Sequence, residues 1–440
     1  MLKAGFSRMD VTPPFGNDLS GYYERRLADG ILDPLYLNTV AVSNDDETLI
    51  LMAIDYIGIK LDHNMKLRAL ISEKTGVPVD HILIAALHQH TSPCLADPEK
   101  RNTALRDTVY IDVLYRKFAD AAKMAIDDMK DATVSTAAQD VAEPIAFVRR
   151  YFSKEDGVVT NPSPKYTLLG RCAEADNTMR LVRFHRENAN DIAIVNFSTH
   201  PDVIGGTKWS ADWPGFTRKF VESDIENVSC LFFTGCQGDS NHYDYFKPKE
   251  ERLRGERYEH SEFMGRTVAD AVKAAWNETK AVTGEAIFAD NRVIYNMTNT
   301  EGAEKYDECV AWVRDYKAKL IPSGSYNMAD RAFAYRIAGL REQPIFRPVP
   351  LTVMGIGDLV FVAFGGEAFT SYGEATRALA PEKFVMNIVC ANGYEGYFPT
   401  TEAFKQGGYE AASSFFTPTL QEEVMAELSE MFDKISEAFL

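Results

Sequence analysis

The sequence predicts an α/β fold of mixed β-sheets flanked by helices, built as a single unit over residues 1–440. Three observations lead there. Short apolar or alternating runs bounded by turn residues recur along the chain. Longer segments of helical period lie between them. No internal repeat, low-complexity tract or Pro/Gly/Ser-rich linker divides the whole.

In chain order, NTVAVS (38–43), TLILMAIDYIGI (48–59), ILIAAL (82–87), DIAIVNFST (191–199), CLFFT (230–234) and DLVFVAF (358–364) read as strands. YIDVLYRKFADAAKMAIDDM (110–129), GRTVADAVKAAWNE (265–278) and LQEEVMAELSEMFDKISEAF (420–439) read as helices. Residues 139–173 lack periodicity and are rich in turn signals, so they predict a long surface loop of the kind that frames a site. Residues 247–260, KPKEERLRGERYEH, mix both charge signs and read as a solvated helical face.

Hydrophobic residues at 45% and charged residues at 25% are those of a globular protein. A formal charge of -17, with no basic run to offset it, argues against nucleic acid and anionic lipid as partners. No window approaches the ~18 apolar residues of a membrane span, and MLKAGFSRMDVTPP has no signal-peptide core. The expectation is a cytoplasmic protein with no stable membrane association, acting on a small molecule. Six cysteines without a CxxC pair read as reduced thiols.

The chemistry concentrates at strand ends. If the strand at 82–87 continues, His88 and His90 share a face and suit a metal, or one ligand and one acid/base. His200 repeats the design in VNFSTHPD, and two such strands could converge on one ion. Asp212, in WSADWPGF, can cap a helix or hold a ligating imidazole in one tautomer. Glu367 follows a strand and a Gly-Gly turn, and supplies the carboxylate that zinc takes alongside neutral imidazoles. The loop in FFTGCQGDSN, with Gly235 and Gln237, can aim N–H groups at a substrate oxygen. Tyr394, Tyr397 and Tyr409 lie in a glycine-punctuated segment poor in aliphatic residues and can offer phenol oxygens.

Taken in order, GFSRMDVTPPFGNDLSGY, LHQHTSP, STHPD, SADWPG, GCQGDSN, GGEAF and GYEGYFPTTEAFKQGGYEAA resemble the catalytic domain of neutral, non-lysosomal ceramidases and their shorter bacterial relatives. The resemblance spans nearly the whole chain. It implies a zinc held by His88, His200, Glu367 and Tyr397 in an amide hydrolase, with His90 as acid/base. Tyr409 and an arginine of FVRRYF, Arg149 or Arg150, would position the scissile carbonyl, Arg149 being preferred. Asp212, Gly235, Gln237 and Tyr394 are assigned to substrate contact.

Two departures shape the expected substrate. The sequence leads to the expectation of a protein without the secretion signal and C-terminal Ig-like sandwich domain of ceramidases, and the turn TSPCLADPEK after the histidine pair is polar. A small soluble amide, or a related ester, is expected rather than membrane ceramide. The alternatives are a true ceramidase, a metal-dependent enzyme acting on a sugar-like molecule, a hydrolase using Cys94 or Cys236 as nucleophile, and a non-catalytic sugar- or lipid-binding relative.

Overall fold

Strands buried on both faces need apolar side chains at consecutive positions, and the runs at 48–54 and 82–86 meet that demand. The computed structural model describes residues 1–99, 101, 103–322 and 324–438. In it Ile50, Met52 and Ile54 enter one apolar cluster, while Leu49, Leu51 and Ala53 enter a second on the opposite face of the same sheet.

One topological unit occurs three times. In the first, Lys3–Asp10, Tyr36–Ser43 and Thr48–Ile54 pair antiparallel in turn. Helix Leu61–Thr75 then returns the chain, so that Ile82–Ala86 joins parallel to Thr48–Ile54. The second repeats this with Lys130–Asp140, Thr178–Arg186, Asp191–Phe197, helix Asp212–Asp224 and Val228–Thr234. The third uses Ile287–Met297, Phe346–Ile356, Leu359–Phe364, helix Thr370–Leu379 and Phe384–Ile388. Each unit closes with a long helix: Thr108–Asp127, Arg257–Ala275 and Leu420–Ala438. The first two units join edge to edge through Lys3–Asp10 and Lys130–Asp140 in a nine-stranded sheet, and the third makes a four-stranded sheet. The α/β class read from the sequence is therefore present. The expected lack of a repeat holds for residue identity only, because equivalent positions share burial and hydrogen bonding and not sequence.

Two of the three expected long helices start and stop within two residues of their sequence bounds, Phe439 lying outside the described residues. The remaining one begins at Arg257 instead of 265. A capping box of Glu256 and Glu259 opens it inside the charged stretch, which is otherwise turn and a short 3-10 segment, Lys249–Glu251. His260, expected on a solvated face, is buried. Residues 139–173 are not loop throughout. Arg150–Ser153, Gly157–Thr160 and Leu168–Arg171 form a three-stranded antiparallel sheet, its strands too short for a period of two to stand out.

Between its first and second strands each unit makes a long excursion, at 11–35, 141–177 and 298–345. The three meet. Tyr316 donates to Glu24 at 2.6 Å, the Tyr23 and Tyr335 rings lie 4.6 Å apart, and Asn161 reaches Met328. Among the described residues no helix is long and apolar enough to cross a membrane.

Candidate active site

Strand ends of all three units converge on one point. His88 and His90 follow Ile82–Ala86, His200 follows Asp191–Phe197, and Glu367 follows Leu359–Phe364. Tyr397 arrives by a two-residue parallel pairing that sets it directly beside Glu367. Gly366 permits this, since a Cβ there would sit 2.4 Å from the Phe398 ring. The histidine pair converges for a reason other than strand alternation. The strand stops at Ala86, and His88 adopts φ 76°, a left-handed conformation uncommon outside glycine and characteristic of constrained functional sites. The three histidines are buried, and their ligating nitrogens lie within 4.8 Å of one another.

A neutral imidazole carries a single N–H. His88 Nδ1 lies 2.9 Å from the Ile57 carbonyl, and His200 Nδ1 lies 2.8 and 2.9 Å from the carbonyls of Gln237 and Ser240. Carbonyls only accept, so both rings carry the proton on Nδ1 and turn a lone pair outward at Nε2. Both Nε2 atoms face Glu367 Oε2 at 3.2 Å. Burial, with Arg149 nearby, lowers the His200 pKa to about 4, so that ring is neutral near pH 7. Burial raises the Glu367 pKa, and His88 and His200 lower it only if their rings are protonated toward the carboxylate, so with lone pairs there instead the carboxylate needs a cation to stay charged. Three acceptors aimed at one another repel unless a cation lies among them. Ligand atoms at about 2.0–2.2 Å around a tetrahedral zinc stand roughly 3.3–3.6 Å apart, close to the spacing found. The donor set therefore fits zinc, with both imidazoles oriented by backbone carbonyls.

Of the two arginines, Arg149 is the one that reaches the Tyr397 hydroxyl. Its Nη2 donates to the Tyr397 hydroxyl at 2.9 Å and to the Gly238 carbonyl at 3.1 Å, and its Nε donates to Glu410 at 2.8 Å. Arg150 turns away to Glu410 Oε2 and Gln406. The buried Glu410 ties both guanidiniums to the segment carrying Tyr409, whose ring lies 5.7 Å from that of Tyr397. Tyr23 of the first excursion faces the Tyr409 hydroxyl. Tyr394 donates to Glu367 Oε1 at 3.3 Å.

His90 is held differently. Neither of its ring nitrogens has a hydrogen-bond partner, although Nδ1 approaches Asp202 Oδ1 to 3.3 Å at an unfavourable angle. Burial, with His88 and His200 beside it, keeps the ring neutral. Asp202 is in turn hydrogen-bonded by Tyr22. Sequence reading passed over Tyr22, Tyr23, Asp202 and Glu410. Tyr22 closes GFSRMDVTPPFGNDLSGY, Asp202 lies in STHPD and Glu410 follows Tyr409 in GYEGYFPTTEAFKQGGYEAA, so only Tyr23 sits outside the motifs already singled out.

Gln89, between the two histidines, donates to Asp55 at 2.9 Å, and Asp55 forms a bidentate buried pair with Arg218 at 2.9 and 2.6 Å. Asp55→Ala would strand the Arg218 charge and free the loop that carries both histidines. It is expected to lower stability by about 3–5 kcal/mol, read as a shift in the denaturant midpoint at unchanged slope.

Two of the four substrate-contact expectations change. Asp212 is buried, and its carboxylate is occupied by the amides of Val203, Ile204 and Trp213 and by the Ser261 hydroxyl, so it anchors the loop after His200. The Gly235 amide is taken by the Phe197 carbonyl, and a Cβ there would lie 2.3 Å from Ser198 Oγ, so close packing explains this glycine. Gln237 orients His200 through its backbone carbonyl, while its buried side-chain amide has no partner. Tyr394 lines a cleft of about 680 Å³ that also reaches Glu367, Tyr397 and Tyr409. Cys94 and Cys236 are buried within the apolar core, which argues against either as an accessible nucleophile, and burial pushes the Cys236 thiol up to about 12.

No protein-family model matches the chain, and no curated protein matches it. Solved structures do. A neutral ceramidase from Pseudomonas aeruginosa superposes with a TM-score of 0.73 at 15% identity, over 98% of this chain and 74% of that one. A ceramidase complexed with C2 gives 0.76 at 15% identity, over 99% and 75%. At that identity the likeness speaks for architecture, and the chain has the neutral-ceramidase fold.

Proposed function

We propose that the protein is a zinc-dependent hydrolase that cleaves the amide bond of a small, soluble N-acyl compound. The observation that carries this reading is the confrontation at Glu367, where two imidazole lone pairs and a carboxylate oxygen meet at 3.2 Å with their other atoms fixed by the protein. His88, His200, Glu367 and Tyr397 would hold the ion. A bound zinc supplies a Lewis acid that polarises the scissile carbonyl and makes water a nucleophile near neutral pH.

The chain's own residues do the rest. His90, neutral and unpartnered, takes a proton from the attacking water and delivers it to the leaving nitrogen as the C–N bond breaks. Asp202, 3.3 Å from Nδ1, stands ready to accept from the imidazolium that forms. Tyr409 and Arg149 donate toward the carbonyl oxygen as charge develops on it, and Arg149 also favours negative charge on the Tyr397 oxygen. Gln237, its side-chain amide unpaired, is proposed as a further substrate contact.

Ceramide, to which the names of the structural neighbours point, is the second reading. Charged side chains at Lys60, Asp62, Arg101, Arg347 and Glu395 line the cleft beside apolar ones such as Leu61, Met65 and Phe415, and the charged ones favour a substrate with a polar group. The test compares short-chain soluble N-acyl compounds with long-chain ceramide in detergent micelles, before and after removal and return of zinc. Turnover of the soluble compounds that stops with the metal and resumes with it is the expected result. Efficient ceramide cleavage, at kcat/KM of about 10⁴ M⁻¹s⁻¹ or more, would overturn the substrate, and turnover indifferent to metal removal would overturn the mechanism.

A further inference from the structure

The cleft that reaches Glu367 and Tyr394 holds three cations, Lys60, Arg101 and Arg347, and a single carboxylate pairs with two of them. Glu395 Oε2 serves both Lys60, at 3.6 Å, and Arg347, at 3.3 Å. Among the described residues no carboxylate pairs with Arg101. Its guanidinium faces the Tyr394 hydroxyl, its Cζ lies 5.5 Å from the Tyr394 ring centroid, and its buried Nε has no partner. Lys60 Nζ approaches the same ring to 5.4 Å and donates to the Tyr394 carbonyl, so two cations flank one side chain. Glu367, which also lines the cleft, acts on Arg101 through its charge without forming an ion pair. Asp62 and Glu342 are exposed, and Asp97 accepts from the Glu99 amide.

A guanidinium with a buried, unpartnered Nε and no ion pair has donors to offer, and its planar fork suits a carboxylate. Tyr394 fixes how far this cation stands from the reaction, since the same hydroxyl that Arg101 faces donates to Glu367. We infer that the substrate carries a carboxylate close to its scissile amide, as an N-acylated amino acid does, and that Arg101, assisted by Lys60, binds it. The net charge of -17 would repel such an anion at long range, but salt screens exposed charges beyond about 8 Å, whereas the cleft cations act at contact. The inference rests on the amide-hydrolase reading and narrows its substrate.

The experiment follows acetate release from N-acetylglycine and N-acetylglycinamide, which differ only in the terminal carboxylate, with calorimetric binding of N-acetylglycine alongside. The native enzyme should favour the carboxylate in kcat/KM by roughly 10- to 100-fold, the worth of a charge-assisted contact. Arg101→Gln should bring that ratio near one through KM, and Arg101→Lys should restore part of it, with zinc content unchanged. Equal turnover of both compounds by the native enzyme, or a ratio that survives Arg101→Gln, would overturn the inference and leave amide hydrolysis standing. Without turnover of either compound, N-acetylglycine binding that weakens at least about 10-fold in Arg101→Gln would support the anion site against the hydrolase reading. Binding indifferent to Arg101 would overturn the anion site as well.

Discussion

His200→Ala is expected to lose its metal and its activity together. His200 is fully buried, its Nδ1 is fixed by two carbonyls, and its Nε2 is one of the atoms turned on Glu367 Oε2. Altering a group that merely orients a ligand costs about 10- to 100-fold in metal affinity, and deleting a ligand costs more. Purified His200→Ala should therefore hold well under one zinc per chain and show no turnover above background. Circular dichroism matching the native protein would separate this from unfolding. His88→Ala should behave alike, since its ring is anchored in the same way on Ile57.

His90→Ala should keep its zinc and lose about 10²- to 10⁴-fold in turnover, the range of a general acid/base. The three histidines are close enough to form a ligand set of their own, so this variant discriminates between two arrangements. In the one proposed here, His88, His200, Glu367 and Tyr397 carry the ion while His90 faces Asp202. In the other, His90 is a ligand. Loss of zinc from His90→Ala, with retention by His88→Ala, would exchange their roles.

The strand ends that deliver the site were legible because a buried strand leaves a strong local signal: consecutive apolar residues, then a polar residue that must be satisfied. His88, His200 and Glu367 stand out in the sequence that way. The HxH spacing led to convergence through the wrong geometry, because nothing local announces that His88 turns left-handed where the strand stops. Asp212 was misjudged for a different reason. Its partners at Val203, Ile204 and Ser261 become neighbours only after the loop and two helices have packed. Sequence gives only a slight preference for Arg149 over Arg150, since the distinction lies in contacts with Tyr397 and Glu410, roughly 250 residues away. The threefold unit was invisible for a more general reason: pairing and burial repeat without repeating residues, and excursions of unequal length separate the first two strands each time.

The central claim is that two imidazole lone pairs, a carboxylate and a phenol oxygen surround a zinc ion. Elemental analysis of the native protein, purified without chelators, tests it most directly. One zinc per chain, lost on chelation together with activity and regained with it, is the predicted result. Protein that is folded and carries no transition metal, and that gains none on incubation with zinc, would contradict it.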